Sequence, residues 1–320
     1  MSMQLQRSLL AVPVTSPQFA PKAAVSDADA VFLDLEDSVA PRRKDEARSL
    51  AIAALRTLDW RNKLVAVRIN DLDTPWGYRD IVDVAESCPR LDTILLPKAG
   101  SAEDVRFVAR LLTAIEARQP RERPLGIEAL IETPAGVANV EAIAAASPRL
   151  QSLSFGVGDY SAAMRAPQTD FGVPDGSYGV LTTAAAGGDR QYHWNDQWHF
   201  ALARMCNACR ANGLRPIDGP FTSLDDGAGY LAAAGRARAL GFEGKWAIHP
   251  SQIAAANAVF SPSDSELAWA QRVTEAVSQA TEAGNGAARL DGRMIDLVHA
   301  RQAEHVLARS RLISARLRTP

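Results

Sequence analysis

The sequence has few cysteines, no long apolar run and almost no net charge. Its three cysteines, Cys88, Cys206 and Cys209, argue against a disulfide framework. No apolar run reaches the roughly 18 residues that a transmembrane helix needs, so we expect no membrane partner. A net charge of −2 gives no reason to expect nucleic acid as a partner. The first residues lack the apolar region of a signal peptide, and we therefore expect a cytoplasmic protein.

Short apolar segments recur along the first 250 residues, and helical sequence such as 101–118 and 134–146 separates them. Eight segments have the length and composition of buried strands: 7–14, 30–36, 63–70, 93–98, 126–133, 152–158, about 216–221 and 245–249. Eight β–α repeats in about 250 residues predict an α/β fold, a (β/α)₈ TIM barrel. A doubly wound open sheet is the alternative, but no glycine-rich phosphate loop follows the first strand.

One internal stretch interrupts the β–α repeats. Residues 165–195 are rich in glycine, aspartate and aromatic residues and show no clear period. Loops of this length are usually functional or disordered. Because this stretch closely follows Asp159, we expect it to wall the site.

The sequence after residue 260 predicts a helical extension. Ser263 and Glu266 have the spacing of a capping box that opens a helix, and 284–286 interrupt it. A second helix is expected from near Met294 to about Arg316. The predicted domains are therefore a barrel, 1–260, and an extension, 261–320, which cannot add to the barrel sheet and must cover a barrel mouth or a neighbouring subunit.

Charged residues stand at the ends of five predicted strands. They are Asp34, Glu36, Asp37, Arg68, Lys98, Glu132 and Asp159. Ionised groups at the ends of buried strands need a neutralising partner. Active sites of such barrels lie at the C-terminal strand ends. The pattern indicates a ring of functional groups around a cation or an anionic substrate.

Glu132 and Asp159 close neighbouring strands, so their carboxylates can share one ion. Oxygen ligands with no histidine or cysteine nearby favour Mg²⁺ over zinc. The alternative is a structural salt bridge between these carboxylates and Arg68 or Lys98. We leave Lys98 without a role at this point.

Arg68 is a candidate for binding a substrate carboxylate through two parallel hydrogen bonds, and a surface ion pair is the alternative. In the second strand, alternation places Phe32, Asp34 and Glu36 towards the barrel interior. We therefore give Asp34, Glu36 and the adjacent Asp37 supporting roles.

Two further features are weaker. Cys206 and Cys209 lie in a predicted helix, 197–212, with no second cysteine pair for a zinc site, so we interpret them as buried small residues. His249 closes the eighth strand and is a candidate for contact with a ligand.

Together, the segments resemble a known family, the citrate lyase β-subunit-like group of the HpcH/HpaI aldolase superfamily. The matching segments are 7–13, 32–41, 67–70, 96–98, 130–133, 155–160 and 247–252. Residues 192–194, 198–199 and 210–220 are similar to the malyl-CoA/β-methylmalyl-CoA lyase branch in particular. The similarity covers nearly the whole chain.

The resemblance implies a metal-dependent, reversible cleavage of a 3-hydroxyacyl-CoA into glyoxylate and acetyl-CoA or propionyl-CoA. By this analogy Glu132 and Asp159 bind Mg²⁺, with Mn²⁺ as a possible substitute. Arg68 holds the 2-oxoacid and stabilises the enolate oxygen, and Glu132 and Thr133 belong to the substrate-binding residues.

The resemblance also implies that Asp296, in a Met-Ile-Asp motif, acts as a general acid/base in the site of a neighbouring subunit. The protein would then be a homo-oligomer, a trimer or a hexamer. Coenzyme A contacts are expected at Lys22, Ile248 and His249.

The first loop departs from the family pattern, because Val14 and Gln18 replace a glycine and an arginine. If that arginine neutralises coenzyme A phosphates, its loss weakens coenzyme A binding or signals another acyl carrier, and Lys22 is placed to compensate. A malyl-CoA or citramalyl-CoA thioesterase stays open as an alternative, because related barrels hydrolyse the thioester after condensation. A citramalyl-CoA lyase also stays open, because the preferred acyl chain depends on the shape of the pocket. Val14 and Gln18 keep a third alternative open, a non-catalytic regulatory barrel, although intact Arg68, Glu132, Asp159 and Asp296 argue against it.

Overall fold

The strands and helices alternate along most of the chain. The computed structural model describes residues 4–167, 170–183 and 188–318. In chain order the elements are β1 (Ser8–Pro13), α1 (Phe19–Val25), β2 (Ala30–Asp34), α2 (Lys44–Thr57), β3 (Leu64–Arg68), α3 (Gly77–Ser87), β4 (Thr93–Leu96), α4 (Ala102–Arg118), β5 (Gly126–Ile131), α5 (Pro134–Ala138), α6 (Val140–Ala144), β6 (Leu150–Phe155), α7 (Val157–Ala163), β7 (Gly179–Leu181), β8 (Tyr192–Trp194), α8 (His199–Ala211), β9 (Arg215–Asp218), α9 (Gly227–Leu240), β10 (Gly244–Ala247), α10 (Ile253–Val259), α11 (Asp264–Glu282), β11 (Ala287–Leu290), β12 (Arg293–Asp296) and α12 (Leu297–Arg318).

Eight of the strands pair in parallel and close into a barrel, in the order β1-β10-β9-β6-β5-β4-β3-β2. Most residues of these strands are buried, as expected for a parallel sheet that is covered by helices on its outer side. The prediction of a (β/α)₈ barrel is confirmed. The alternative, a doubly wound open sheet, was wrong.

Alternation along β2 separates the barrel interior from the outer layer. Phe32 belongs to the apolar cluster inside the barrel with Leu130 and Trp246, and its ring centroid lies 4.6 Å from that of Trp246. Val31 and Leu33 are fully buried on the opposite face, where the surrounding helices pack. The barrel interior around Phe32 is therefore packed with apolar side chains, and the charged Asp34 and Arg68 lie at the strand ends.

Several predicted boundaries were wrong. The strand predicted over 152–158 ends at Phe155, and α7 begins at Val157. The helix predicted over 134–146 is two short helices, α5 and α6, separated at Asn139. The unpatterned stretch 165–195 contains an antiparallel pair, β7 and β8, while residues 168–169 and 184–187 of that stretch lie outside the described residues. Short apolar runs such as Gly156–Val157 fit a strand or a helix equally well by composition.

The chain divides into one unit of residues 6–257 and another formed by the N-terminal residues to Leu5 with the chain from Ala258 onwards. In the second unit α11 and α12 pack with the hairpin β11–β12 around an apolar cluster that includes Val273 and Ile295. The predicted capping box is present, because the Ser263 hydroxyl and the Glu266 carboxylate exchange hydrogen bonds with each other's backbone N–H.

The predicted start of the last helix near Met294 was wrong. Met294 lies in β12, which pairs with β11 across a turn where Asp291 and Gly292 both have positive φ. The helix α12 begins only at Leu297. No helix in the described ranges is both long and apolar enough to cross a membrane.

Candidate active site

Asp34 and Arg68 form a buried ion pair at the ends of β2 and β3, where they are partners in the strand register. Arg68 Nε donates to Asp34 Oδ1 at 2.7 Å, and Arg68 Nη2 donates to Oδ2 at 2.8 Å. Burial would raise the pKa of Asp34, but the charge and hydrogen bonds of Arg68 outweigh burial and lower it. Both groups therefore stay charged inside the protein.

The remaining contacts of Arg68 fix its guanidinium from three sides. Its Nη1 donates to Asp37 Oδ2 at 3.0 Å and lies 3.0 Å from Glu36 Oε2. The rings of Phe32 and Trp246 lie 5.5 and 5.8 Å from the guanidinium carbon. These contacts engage four of the five guanidinium N–H groups, so one N–H, on Nη2, is left for a substrate carboxylate.

The loop after β2 is held by buried groups. The Asp34 carboxylate accepts hydrogen bonds from the backbone N–H of Glu36 at 2.9 Å and of Ser38 at 3.2 Å. Lys44, from α2, is buried and donates its ammonium to the backbone carbonyls of Leu35 and Glu36 at 2.9 and 2.8 Å. Sequence patterns gave no sign of this lysine, because a lysine in a helix ordinarily faces solvent.

Glu36 joins Arg68 to Lys98. Lys98 Nζ donates a short hydrogen bond to Glu36 Oε1, while Oε2 faces Arg68. Burial raises the pKa of Glu36 to about 7, and the negative charge of Asp37 adds to this rise. The positive charges of Arg68 and Lys98 oppose it. The carboxylate of Glu36 is therefore a bridge between two cations rather than a free group.

Glu132 lies directly after β5 and is only 2% exposed. Its Oε1 accepts a hydrogen bond from the backbone N–H of Lys98 at 2.8 Å. Burial raises the pKa of Glu132 well above its usual range, and the negative charge of the neighbouring Glu36 adds to this rise. A Cβ atom on Gly156 would lie 2.4 Å from Glu132 Oε2, so only glycine leaves room for this side chain.

Asp159 lies in the first turn of α7, and its side chain is 41% exposed. Its Oδ2 is 3.9 Å from Lys98 Nζ, and its charge contributes to the raised pKa of Glu132. The helix α7 therefore brings the second predicted metal ligand to the same rim as Glu132. By contrast, the carboxylate of Glu128 in β5 accepts hydrogen bonds from the side chains of Gln6 and Thr93 and takes no part in the rim.

The donor set at this rim fits a magnesium ion. Within the described ranges no three histidine, cysteine, aspartate or glutamate side chains converge into an all-protein metal cluster. Mg²⁺ does not need such a cluster, because it usually binds one or two carboxylates and completes its shell with water and substrate oxygens. A cation beside Glu132 would also offset the cost of burying its charge, a cost seen in its raised pKa.

The predicted substrate and coenzyme A residues lie at three strand ends. Thr133 caps α5, and its hydroxyl accepts from the backbone N–H of Gly136 at 2.9 Å. Lys22 is exposed on α1, which follows β1. Ile248 and His249 follow β10, the barrel neighbour of β1, and His249 Nδ1 lies 2.8 Å from Ser251 Oγ. Lys22 and His249 therefore lie in the segments that follow two adjacent barrel strands.

Asp296 belongs to the other unit, where it ends β12 and caps α12. Its Oδ1 accepts from the backbone N–H of Val298 at 3.0 Å and lies 2.8 Å from His299 Nδ1. The hydrogen bond with His299 lowers the pKa of Asp296. The adjacent side chains of Met294, Leu297 and Val298 are apolar and more than half exposed.

Comparison with known proteins identifies the family. The profile described as HpcH/HpaI aldolase/citrate lyase matches residues 7–250. The chain belongs to this family. The L-malyl-CoA/β-methylmalyl-CoA lyase of Cereibacter sphaeroides is 46% identical over 304 residues, which are 95% of this chain and 94% of that relative. The family resemblance expected from the motifs is confirmed.

Two further proteins that are similar to this chain bear on the chemistry. A (3S)-malyl-CoA thioesterase of Cereibacter sphaeroides is 33% identical over 309 residues, covering 97% of this chain and 96% of that protein. The crystal structure of CitE from Mycobacterium tuberculosis, in complex with magnesium, acetoacetate and coenzyme A, has a TM-score of 0.69 and 29% identity, and covers 95% of this chain and 97% of that chain.

The close approach at Gly156 predicts that Gly156→Ala displaces the side chain of Glu132. If Glu132 is a Mg²⁺ ligand, as the family resemblance implies, this variant should bind Mg²⁺ about 10- to 100-fold more weakly, as substitutions beside metal ligands do. The measurement is the Mg²⁺-dependent rise in melting temperature. Gly235→Ala in α9 is the matched control, because a Cβ there meets no atom within 4 Å. An unchanged Mg²⁺ response in Gly156→Ala would contradict the steric argument.

Proposed function

We propose that this chain is a Mg²⁺-dependent carbon–carbon lyase that reversibly cleaves malyl-CoA or β-methylmalyl-CoA into glyoxylate and acetyl-CoA or propionyl-CoA. The observation that carries the proposal is the carboxylate pair of Glu132 and Asp159 near Arg68 at the barrel rim, in a chain that is 46% identical over 304 residues to a lyase of this kind. In our proposal Glu132 and Asp159 hold the ion, with Mn²⁺ as a possible substitute. The ion supplies positive charge where negative charge develops on the substrate oxygens.

The reaction needs positive charge and one proton carrier. In the cleavage direction the hydroxyl of the substrate loses its proton, the carbon–carbon bond breaks, and the electron pair moves onto the thioester as an enolate. That enolate takes up a proton to give the acyl-CoA product. Arg68 contributes a guanidinium that binds the glyoxylate carboxylate and faces the developing negative charge. Its three carboxylate partners and two rings hold it still, so little reorganisation is needed during the reaction.

We assign the proton transfer to Asp296, supplied by a neighbouring subunit. The lowered pKa keeps the Asp296 carboxylate ionised at neutral pH, which is the form that accepts a proton. The exposed apolar side chains of Met294, Leu297 and Val298 around it favour burial against a second protein surface. We therefore propose a homo-oligomer, a trimer or a hexamer in the cytoplasm, in which the extension covers a neighbouring barrel.

The acyl carrier is proposed to bind beside the first and last barrel strands. Lys22 offers a positive charge for a phosphate group, and Ile248 and His249 lie in the loop after the adjacent strand. Thr133 caps a helix next to Glu132 and contributes to the substrate pocket. In the segment after β1, Val14 is buried and Gln18 is exposed and uncharged. The electrostatic attraction of this segment for a phosphate group therefore depends on Lys22.

A direct assay separates the lyase from a thioesterase, the activity named for the 33% identical relative. Purified protein is incubated with Mg²⁺, acetyl-CoA and glyoxylate, and both malyl-CoA and free thiol are followed. We expect malyl-CoA to accumulate without free thiol, because condensation leaves the thioester intact. Stoichiometric release of free coenzyme A would support the thioesterase instead, and no turnover of any acyl-CoA would refute both.

The shared site predicts complementation between inactive variants. Glu132→Gln and Asp296→Asn are each expected to abolish turnover, while Asp296→Asn keeps its Mg²⁺ affinity. Mixed oligomers made by co-expression are expected to recover about a quarter of the wild-type rate. Random pairing of the two variants places an intact Glu132 and an intact Asp296 together in that share of the sites.

The matched control for this complementation is Asp291→Asn, which removes a carboxylate from the hairpin turn of the same unit and should leave activity unchanged. If the mixed oligomers stay inactive, Asp296 does not act across subunits. If Asp296→Asn loses Mg²⁺ affinity, its assignment as a proton carrier is wrong.

A further inference from the structure

The backbone of Lys98 adopts a conformation that a lysine seldom takes. It follows β4 by two residues and has a φ of 49°, in the left-handed region. Four described residues other than glycine share this property, namely Arg61, Lys98, Arg165 and Asp291, but within the described ranges Lys98 alone lies directly after a barrel strand. The left-handed conformation costs energy for any residue with a Cβ, so the surrounding structure must impose it.

This conformation brings two different groups of Lys98 into the site. Its backbone N–H donates to Glu132 Oε1 at 2.8 Å, which orients one proposed metal ligand. Its ammonium donates to Glu36 Oε1 and lies 3.9 Å from Asp159 Oδ2. One residue therefore touches both proposed metal ligands and the loop after β2.

Glu36 extends this chain of contacts to Arg68. Its second oxygen, Oε2, lies 3.0 Å from Arg68 Nη1 and makes no hydrogen bond of its own, so its position depends on the two cations that flank it. If the ammonium were absent, Arg68 would be the one cation left in an ion pair with the Glu36 carboxylate among the described residues, and Lys44 would attract it from farther away. The Glu36 carboxylate would then close on Arg68 Nη1, the guanidinium nitrogen that Asp34 does not bind, and would shift that end of the guanidinium relative to Glu132 and Asp159, while Asp34 still holds Nε and Nη2.

We propose that Lys98 is a positioning residue that fixes the distance between the metal carboxylates and Arg68, acting through Glu36. The proposal rests on the proposed lyase function, because only a substrate held between the metal and the guanidinium needs that distance. The ammonium is not needed to bind the ion. It adds positive charge next to the carboxylates and so opposes a second cation.

The main test is a double-substitution cycle with Lys98→Met and Glu36→Gln. Methionine keeps the stem of the side chain and the backbone N–H, and it removes only the ammonium. We expect each single variant to lose about 100-fold in kcat with little change in KM for malyl-CoA, the scale of a small misplacement of reacting groups. The double variant is expected to be no slower than either single variant, because both break the same chain of contacts.

The second readout is the affinity for Mn²⁺, measured by electron paramagnetic resonance without substrate. Lys98→Met is expected to bind Mn²⁺ as tightly as the wild type or more tightly, whereas Glu132→Gln loses affinity. A fall of Mn²⁺ affinity in Lys98→Met that matches its fall in kcat would overturn the proposal, since Lys98 would then serve only the metal site. Losses in kcat that multiply in the double variant would also overturn it, as would a kcat for Lys98→Met within twofold of the wild type.

Arg61→Met is the matched control. Arg61 is also a basic residue with a left-handed backbone, with φ of 51°, but it is exposed and precedes β3, at the opposite end of the barrel. It should keep wild-type kcat and Mn²⁺ affinity. Lys98→Gly is a control for misfolding. Because glycine accepts positive φ without strain, this variant should melt at a higher temperature than Lys98→Ala.

A wild-type protein that binds Mn²⁺ but cleaves no acyl-CoA would refute the proposed function alone. The role of Lys98 is then decided by glyoxylate binding to the Mn²⁺-loaded protein. At least tenfold weaker glyoxylate binding in Lys98→Met, with Mn²⁺ affinity retained, would support it, and unchanged glyoxylate binding would overturn it.

Discussion

The buried carboxylate of Glu132 is the constraint on which the rest of this barrel rim depends. It is almost excluded from water, and its neighbours Glu36 and Asp159 are also acidic, so their charges add to the cost of its burial. Two basic side chains, Arg68 and Lys98, reduce that cost only in part. A divalent cation is the natural further partner, because it binds carboxylates and still leaves coordination positions for a substrate.

The positive charge at the rim is divided between two fixed positions. Arg68 is held by Asp34 through two hydrogen bonds, while Glu36 shares its carboxylate between Arg68 and Lys98. Each acidic residue of the loop after β2 therefore restrains a cation. Such a network lets the protein keep a buried guanidinium at the end of β3, near the rings of Phe32 and Trp246.

The barrel and most of the rim could be predicted from the sequence, because strand ends are marked by a change from apolar to charged residues. Arg68 and Asp34 are visible in this way, as is Glu132. The partner of each charge could not be predicted, since pairing between loops depends on the register of the strands. Lys98 is the best example. The sequence assigned it no role, because its left-handed backbone and the hydrogen bond from its backbone N–H to Glu132 appear only in three dimensions.

Other features escaped prediction for simpler reasons. Gly156 lies in an apolar run that reads as a strand, whereas its importance is the space it leaves for Glu132. Met294 lies in a short exposed strand of a hairpin, and hairpins of a few residues carry too weak a pattern to be separated from the start of a helix. Lys44 is buried by tertiary contacts to backbone carbonyls that local sequence does not encode.

The central claim is that Glu132 and Asp159 together bind the catalytic ion. Crystals of the protein grown with Mn²⁺, measured on both sides of the manganese absorption edge, locate the ion without ambiguity. The account predicts an anomalous peak within coordination distance, about 2 Å, of a carboxylate oxygen from each of these two residues. A peak bound to neither of them, or no peak at the rim at saturating Mn²⁺, would contradict it.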